Sequence, residues 1–175
     1  MRRSLKPPVP PARSPTVASR VAVKGHPLHP VLVVYPIACL TLLPLVDLLH
    51  LWRGGHFWAQ AGWWLNVVGL GGGLLAAVAG MADMFLIRVA RRHPAAWAHF
   101  LAGVMLLAVA AAGVRLRLPD PAAAVWPWGL FVSGLGLAMT LVAGWLGGDL
   151  TFRYGIGVHG HPGPEDEDAG REVPP

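Results

Sequence analysis

The sequence predicts an all-α integral membrane protein: a four-helix bundle built of two antiparallel hairpins, with disordered tails at both ends. Three observations predict it. Of the 175 residues, 54% are hydrophobic and only 13% are charged, against roughly 25% charged in soluble domains. The apolar residues gather in four runs, each long enough to cross a hydrocarbon core of roughly 30 Å, which takes about 20 helical residues. Helices formed by these runs would lack the polar faces that a soluble bundle requires.

The first segment, Met1 to Lys24, is rich in Pro, Arg and Ser and holds no apolar run, so it is expected to stay disordered. Arg2 and Arg3 do not open an export signal, because prolines follow them in place of an apolar stretch. The membrane domain spans 25–158, with helices expected at about 31–51, 58–87, 94–114 and 126–148. Pro36 and Pro44 fall inside the first run; a transmembrane helix tolerates proline where neighbours satisfy the freed backbone groups. Trp52, Trp58, Trp63, Trp64, Trp126 and Trp128 gather where the first and third helices end and the second and fourth begin. They read as an aromatic belt at one interface. The last segment, 159–175, is polar, contains His159 and His161, and carries the acidic run Glu165, Asp166, Glu167 and Asp168. It reads as a solvated tail.

Charge sets the orientation. The net charge is +5, but the basic residues lie at the ends of apolar runs and form no aromatic-interleaved stripe, so nucleic acid is not an expected partner. Of the 14 Lys and Arg residues, only Arg53, Arg115 and Arg117 fall in the two connections opposite the chain ends. The positive-inside rule therefore places both termini in the cytoplasm of a bacterial-type cell, with the chain in the inner membrane. The single Cys39 supplies neither a disulfide framework nor a thiolate cluster and reads as a small buried hydrophobe.

Six ionisable residues share the membrane level of the chain ends: His26 and His29 open the first helix, Asp83 lies near the end of the second, His93 and His99 open the third, and Asp149 closes the fourth. Such groups at membrane depth are costly and usually face the bundle interior or a watery cavity. His99 follows Pro94 by five residues and should sit about 7 Å inside the helix start. Gly62, Asn66, Gly69, Gly73, Ala76 and Gly80 form a small-residue stripe ending at Asp83, and Gly129, Ser133, Gly136, Thr140, Ala143 and Gly147 form another. Close helix packing is the first reading of these stripes, and room for a flat cofactor the second. Gly69 and Gly73 can equally drive association of two copies. The hairpins also echo one another: His26-Pro27, His29 and Gly80 to Asp83 in the first, His93-Pro94, His99 and Gly147 to Asp149 in the second. Two parallel repeats about an axis along the membrane normal would produce this echo.

At His26-Pro27-Leu28-His29-Pro30, followed by an apolar run with Pro36 and then Asp47, the chain resembles the domain of unknown function 2231 family of bacterial membrane proteins. The closing Gly147-Gly148-Asp149-Leu150 and Tyr154-Gly155-Ile156-Gly157-Val158 are similar to that family's ending. The resemblance covers about Gly25 to Val158. It implies a small four-helix membrane domain with no settled activity, in some members joined to a Rieske-type iron-sulfur domain, an association that points toward electron transfer. A Rieske centre needs two cysteines and two histidines, so with Cys39 alone any iron-sulfur partner of this chain would be a separate protein.

Four functions are open to the cluster. In the first, Asp83 and Asp149 hydrogen-bond His29 and His99 and lock the hairpins together, and the protein serves as a membrane anchor or assembly subunit. In the second, His29 and His99 are axial ligands of a b-type haem, with Asp83 and Asp149 orienting the rings. In the third, the protein transports a metal ion or proton, since His and Asp bind divalent metals and relay protons. That reading is weakened because the bilayer midplane offers only Asn66, Ser133 and Thr140. The last is an enzyme, which is not expected: Ser133 has no histidine near its own depth, and although His26, His29, Asp83 and His99 are candidate metal ligands for a catalytic zinc, their spacing matches no zinc helix motif.

Overall fold

The computed structural model describes residues 16–158. Four helices in it are long and apolar enough to cross a membrane: Leu28–Arg53, His56–Leu86, Pro94–Arg117 and Val125–Arg153. The first is assembled from α1 (Leu28–Leu32) and α2 (Val34–Arg53). Pro36 has no N–H to give the Leu32 carbonyl, and the two segments meet one turn earlier, at Val33. Gly54 and Gly55 both have positive φ, 67° and 87°, and they turn the chain directly into α3 (His56–Leu86). A short α4 (Arg88–Arg92) leads to His93, whose side chain accepts from the Ala95 N–H and caps α5 (Pro94–Arg117), with Pro94 in the first turn. Proline suits that place because its missing N–H has no partner there anyway. Asp120 accepts from the Ala122 and Ala123 N–H groups and turns the chain back. The fourth span opens with a kinked segment, Val125–Gly129, in which Trp126 is extended (φ −110°, ψ 135°), and continues through α6 (Leu130–Gly148) and a π turn at Asp149–Arg153.

These spans are longer than expected from sequence, and two differences matter. The third helix continues past residue 114 to Arg117, which is therefore not a charge in a solvated connection but a buried helix residue, 1% exposed. The segment before the first helix was expected to lack structure as far as Lys24, yet β1 (Val17–Ala18) pairs in parallel with β4 (Ile156–Val158), and β2 (Ala22–Val23) pairs antiparallel with β3 (His26–Pro27). Met1 to Pro15, and the tail from His159 with its histidines and acidic run, lie outside the described residues.

Helix α2 packs on α3 and α6, and α5 packs on α6 and α3. Small residues set the approach. A Cβ on Gly69 would lie 2.8 Å from Leu40, one on Gly73 2.7 Å from Leu107, and one on Gly62 3.2 Å from the Asp47 carboxylate. The stripes thus serve close packing: the space beside their glycines is filled by side chains of neighbouring helices. Leu40, Leu43, Leu106 and Ala110 form the core at mid-depth. Met84, Ile87, Ala90, Ala96 and Ile156, with Val17 and Leu150 against them, form a second cluster beneath the chain ends. The outward faces are apolar: Leu74, Leu75, Val78, Leu101, Phe131 and Leu141 are all more than half exposed. Lipid is the solvent such surfaces require. At the end opposite the chain ends Trp52, Trp64, Trp126 and Trp128 are exposed, with the Arg53 guanidinium 5.4 Å from the Trp52 ring centroid.

Candidate functional site: two polar levels in a repeated bundle

Near the chain ends, α1 supplies His29 and α5 supplies His99. The rings stand edge to face, with centroids 5.9 Å apart and planes at 83°. His29 Nδ1–H donates to the Ala76 carbonyl at 2.8 Å, and His99 Nδ1–H donates to the Ala143 carbonyl at 3.0 Å. A carbonyl only accepts, so each proton sits on Nδ1, and the lone pair of each neutral ring is on Nε2. Each ring lies against a glycine of the same helix that holds its carbonyl. A Cβ on Gly80 would be 2.7 Å from His29 Nδ1, and one on Gly147 3.0 Å from His99 Cε1.

These two arrangements are the same arrangement twice. His29 and His99 stand 70 positions apart, while Ala76 and Ala143, and Gly80 and Gly147, stand 67 apart. The same offsets recur at the far level. Asp47 and Arg117 are 70 apart and form an ion pair at 2.5 Å, each 1% exposed. Asp47 lies against Gly62 and Arg117 against Gly129, again 67 apart. Equivalent residues that meet one another are what a two-fold relation between halves produces. Asn66 and Ser133 are likewise equivalent, and both are buried. Ser133 Oγ donates to Asp47 Oδ2 at 2.7 Å, and Arg117 Nη2 also donates to the Gly129 carbonyl at 3.2 Å. Among the described residues the Asn66 side chain finds no hydrogen-bond partner, nor do Arg117 Nε and Nη1. A cavity of about 10 Å³, lined by Asn66, Ser133 and apolar residues, adjoins this cluster.

The carboxylates at the near level do not orient the imidazoles, contrary to the sequence expectation. Asp83 accepts from Ser19 Oγ at 2.6 Å and from the Arg20 and Val21 N–H groups at 2.7 and 3.0 Å. It ties the segment before the first helix to the end of the second. The backbone carbonyls of Ala76 and Ala143 take the role assigned to it and to Asp149. Asp149 is joined to neither histidine by a hydrogen bond; it borders a cleft of about 520 Å³ between α2 and α6, lined also by Ile37, Thr41, Trp145 and Phe152. Nor are the two carboxylates equivalent, since the offset of 67 carries Asp83 to Leu150.

The four candidate metal ligands are not brought together as a set. His26 is exposed, with Nδ1 bonded to the Lys24 carbonyl, and Asp83 faces residues 19–21. Among the described residues no three His, Cys, Asp or Glu side chains converge; the histidine pair alone remains. His93 packs against Tyr154, with ring centroids 4.3 Å apart and planes tilted by 54°, and His50 and His56 bond locally to the Gly55 carbonyl and to Gln60.

Sequence reasoning missed the Asp47 to Arg117 pair. It met Asp47 only as part of a family motif and counted Arg117 as a connection charge. A signal was present: Asp47 follows His29 at the same interval at which Arg117 follows His99. No curated protein and no solved structure matches the chain. A family model described as a predicted membrane protein, domain of unknown function 2231, matches residues 25–160. That span takes in all four helices and both polar levels, and the chain belongs to this family of predicted membrane proteins.

Proposed function

We propose that the protein is a membrane anchor or assembly subunit of the bacterial inner membrane, without catalytic activity of its own, that presents the face carrying both chain ends to a partner in the cytoplasm. One observation carries this reading: the polar groups at that end are used to hold the face in a single geometry. Asp83 receives three hydrogen bonds from residues 19–21, β1 joins β4, and the apolar cluster beneath includes residues from both ends of the described chain. Around it Arg20, Lys24, Arg88, Arg91, Arg92 and Arg153 are exposed. Such a basic rim suits the anionic inner leaflet. A photocrosslinking residue at Arg91 in native membranes should yield a discrete protein adduct that Asp83→Ala weakens. Adducts with lipid alone, or equal adducts in the variant, would remove the reading. Reporter fusions at either terminus should register the cytoplasm, and an outward signal from either would overturn the orientation.

A second reading is favoured by the carbonyl-bound Nδ1 atoms of His29 and His99, which leave Nε2 of each ring as a ligand. In it the pair holds a b-type haem, and the protein passes electrons to or from a separate iron-sulfur or other redox protein. A Soret band after haem-supplemented expression, lost in His29→Ala and His99→Ala, is its expected sign. No band, or a band that ignores both substitutions, excludes it.

A further inference from the structure

We infer that the cleft between α2 and α6 holds one amine-headed phospholipid of the leaflet nearer the chain ends, with its ammonium on the Asp149 carboxylate and an acyl chain along Ile37, Leu141 and Trp145. The inference is independent of the histidine pair and goes beyond the anchoring role. It starts from a place where the two halves of the bundle stop matching. By the offsets of 70 and 67, the cleft residues Ile37, Gly144, Gly148 and Asp149 correspond to Leu107, Ala77, Met81 and Ala82. At the equivalent place between α5 and α3, Leu107 packs against Gly73. The α6 side of the cleft therefore carries less side-chain volume than its counterpart, and one added carboxylate. Helix packing accounts for neither glycine. A Cβ on Gly144 would meet nothing within 4 Å, and one on Gly148 only Phe152 at 3.9 Å, whereas one on Gly69, Gly73 or Gly80 would strike a neighbouring side chain. Glycine weakens a helix relative to alanine, so room that no neighbouring helix uses points to an occupant from outside the chain.

The walls and the end of the cleft give the occupant its chemistry. Leu141, Trp145 and Phe152 are exposed on the outward surface that the bundle turns to hydrocarbon, so whatever enters comes from the bilayer. The volume of about 520 Å³ lies within the roughly 300–1,000 Å³ of small-molecule sites. Asp149 closes the fourth span at headgroup level, and among the described residues its carboxylate takes no hydrogen bond or ion pair. An anion at that depth requires a partner. An apolar wall ending in a carboxylate complements a hydrocarbon chain beneath a cation, and a primary ammonium both neutralises the carboxylate and donates hydrogen bonds to it. The phosphate beside that ammonium is served by Arg153, exposed four residues on, whose guanidinium lies 5.5 Å from the Tyr154 ring centroid. A second copy of the chain fits less well, because a two-fold dimer across this face would bring another Asp149, not a cation, toward the first.

The test uses the full-length protein, delipidated in detergent and offered phosphatidylethanolamine and phosphatidylcholine of identical acyl chains in equal amounts. Both lipids carry the same phosphate and no net charge, so the basic rim treats them alike, and only the first has N–H groups for a carboxylate. Native mass spectrometry should show one retained lipid per chain, with phosphatidylethanolamine preferred by about tenfold. Two variants copy residues of the other half: Asp149→Ala should abolish the preference, and Gly148→Met, which fills the cleft, should abolish retention of either lipid. Helical circular dichroism is expected to be unchanged in both, and Asp149→Ala removes no bond within the described chain, so its result stands even where Gly148→Met fails to fold. Equal retention of the two lipids, a preference that survives Asp149→Ala, or a lipid that survives in folded Gly148→Met would overturn the inference. A dimer that Gly148→Met dissociates would also overturn it and give the cleft to a second copy.

Discussion

Replacing Asp47 by leucine should be among the most damaging single changes available in the membrane domain. Asp47 and Arg117 are each 1% exposed, and among the described residues the carboxylate is the only anionic partner of the guanidinium. Without it Nη2 keeps only the Gly129 carbonyl, while Nε and Nη1 already lack partners. A buried charge stripped of its partner costs about 3–5 kcal/mol, which at about 1.4 kcal/mol per decade is a shift of roughly two to three and a half decades in the unfolding equilibrium. Ser133 loses less, since its hydroxyl also reaches the Leu130 carbonyl. The double variant Asp47→Leu/Arg117→Met removes both charges together and should return to within about 1 kcal/mol of the parent, because a buried pair exchanged for apolar side chains is often neutral. The exchange Asp47→Arg/Arg117→Asp should recover at least about half of the loss, because a two-fold relation makes the positions nearly interchangeable. Reversible unfolding in mixed micelles, followed by tryptophan fluorescence, measures these proteins together with Arg117→Met, which completes the double-mutant cycle. Losses that simply add in Asp47→Leu/Arg117→Met would refute a direct pairing. Failure of the exchange alone would refute the equivalence of the halves.

Three further outcomes are expected. Gly80→Ala places a methyl 2.7 Å from His29 Nδ1 and Gly147→Ala one 3.0 Å from His99 Cε1. Each should cost about 1–3 kcal/mol as overpacking, the first more than the second, and melting temperatures in detergent that are unchanged or ranked in reverse would contradict the ring positions. Asp83→Ala removes three hydrogen bonds to residues 19–21 and should loosen that segment by about 1–3 kcal/mol. Trypsin should then cut faster after Arg20 and Lys24 while helical circular dichroism stays the same; an unaltered cleavage rate speaks against the tie. Asn66→Leu replaces a buried amide that has no partner and should leave stability equal or raise it by about 1 kcal/mol, so a loss above about 2 kcal/mol would show that the amide is bound in the membrane.

The internal repeat explains why so small a membrane protein holds two polar levels. An ionisable group in lipid needs a partner at its own depth. A two-fold arrangement supplies one automatically, because each residue near the axis meets its equivalent. Where the equivalents are complementary, as Asp47 and Arg117 are, the axis closes on itself. Where they are identical, as His29 and His99 are, each is held instead by a backbone carbonyl of its own half, Ala76 or Ala143. The sequence echo therefore held more than was read from it. Of the residues it was matched on, His29 and His99, and Gly80 and Gly147, are equivalent, whereas Asp83 and Asp149 are not.

Transfer into lipid is decided by about 20 consecutive residues at a time. The four spans, the outward apolar faces, the tryptophan-rich end and the close approach at small residues were therefore all written locally in the chain. The pairing of polar atoms was not. Asp83 reaching back to Ser19, carbonyls of Ala76 and Ala143 taking the imidazole protons, and Asp47 meeting Arg117 all depend on the rotation and axial register of helices whose surfaces are apolar nearly all round. With no polar face to set that rotation, a sequence reading has only spacing to work from, and packing at Gly62, Gly69, Gly73, Gly80 and Gly147 made the choice. The sequence by itself determined that imidazoles and carboxylates would share a depth; only the tertiary structure decided which atoms of them touch.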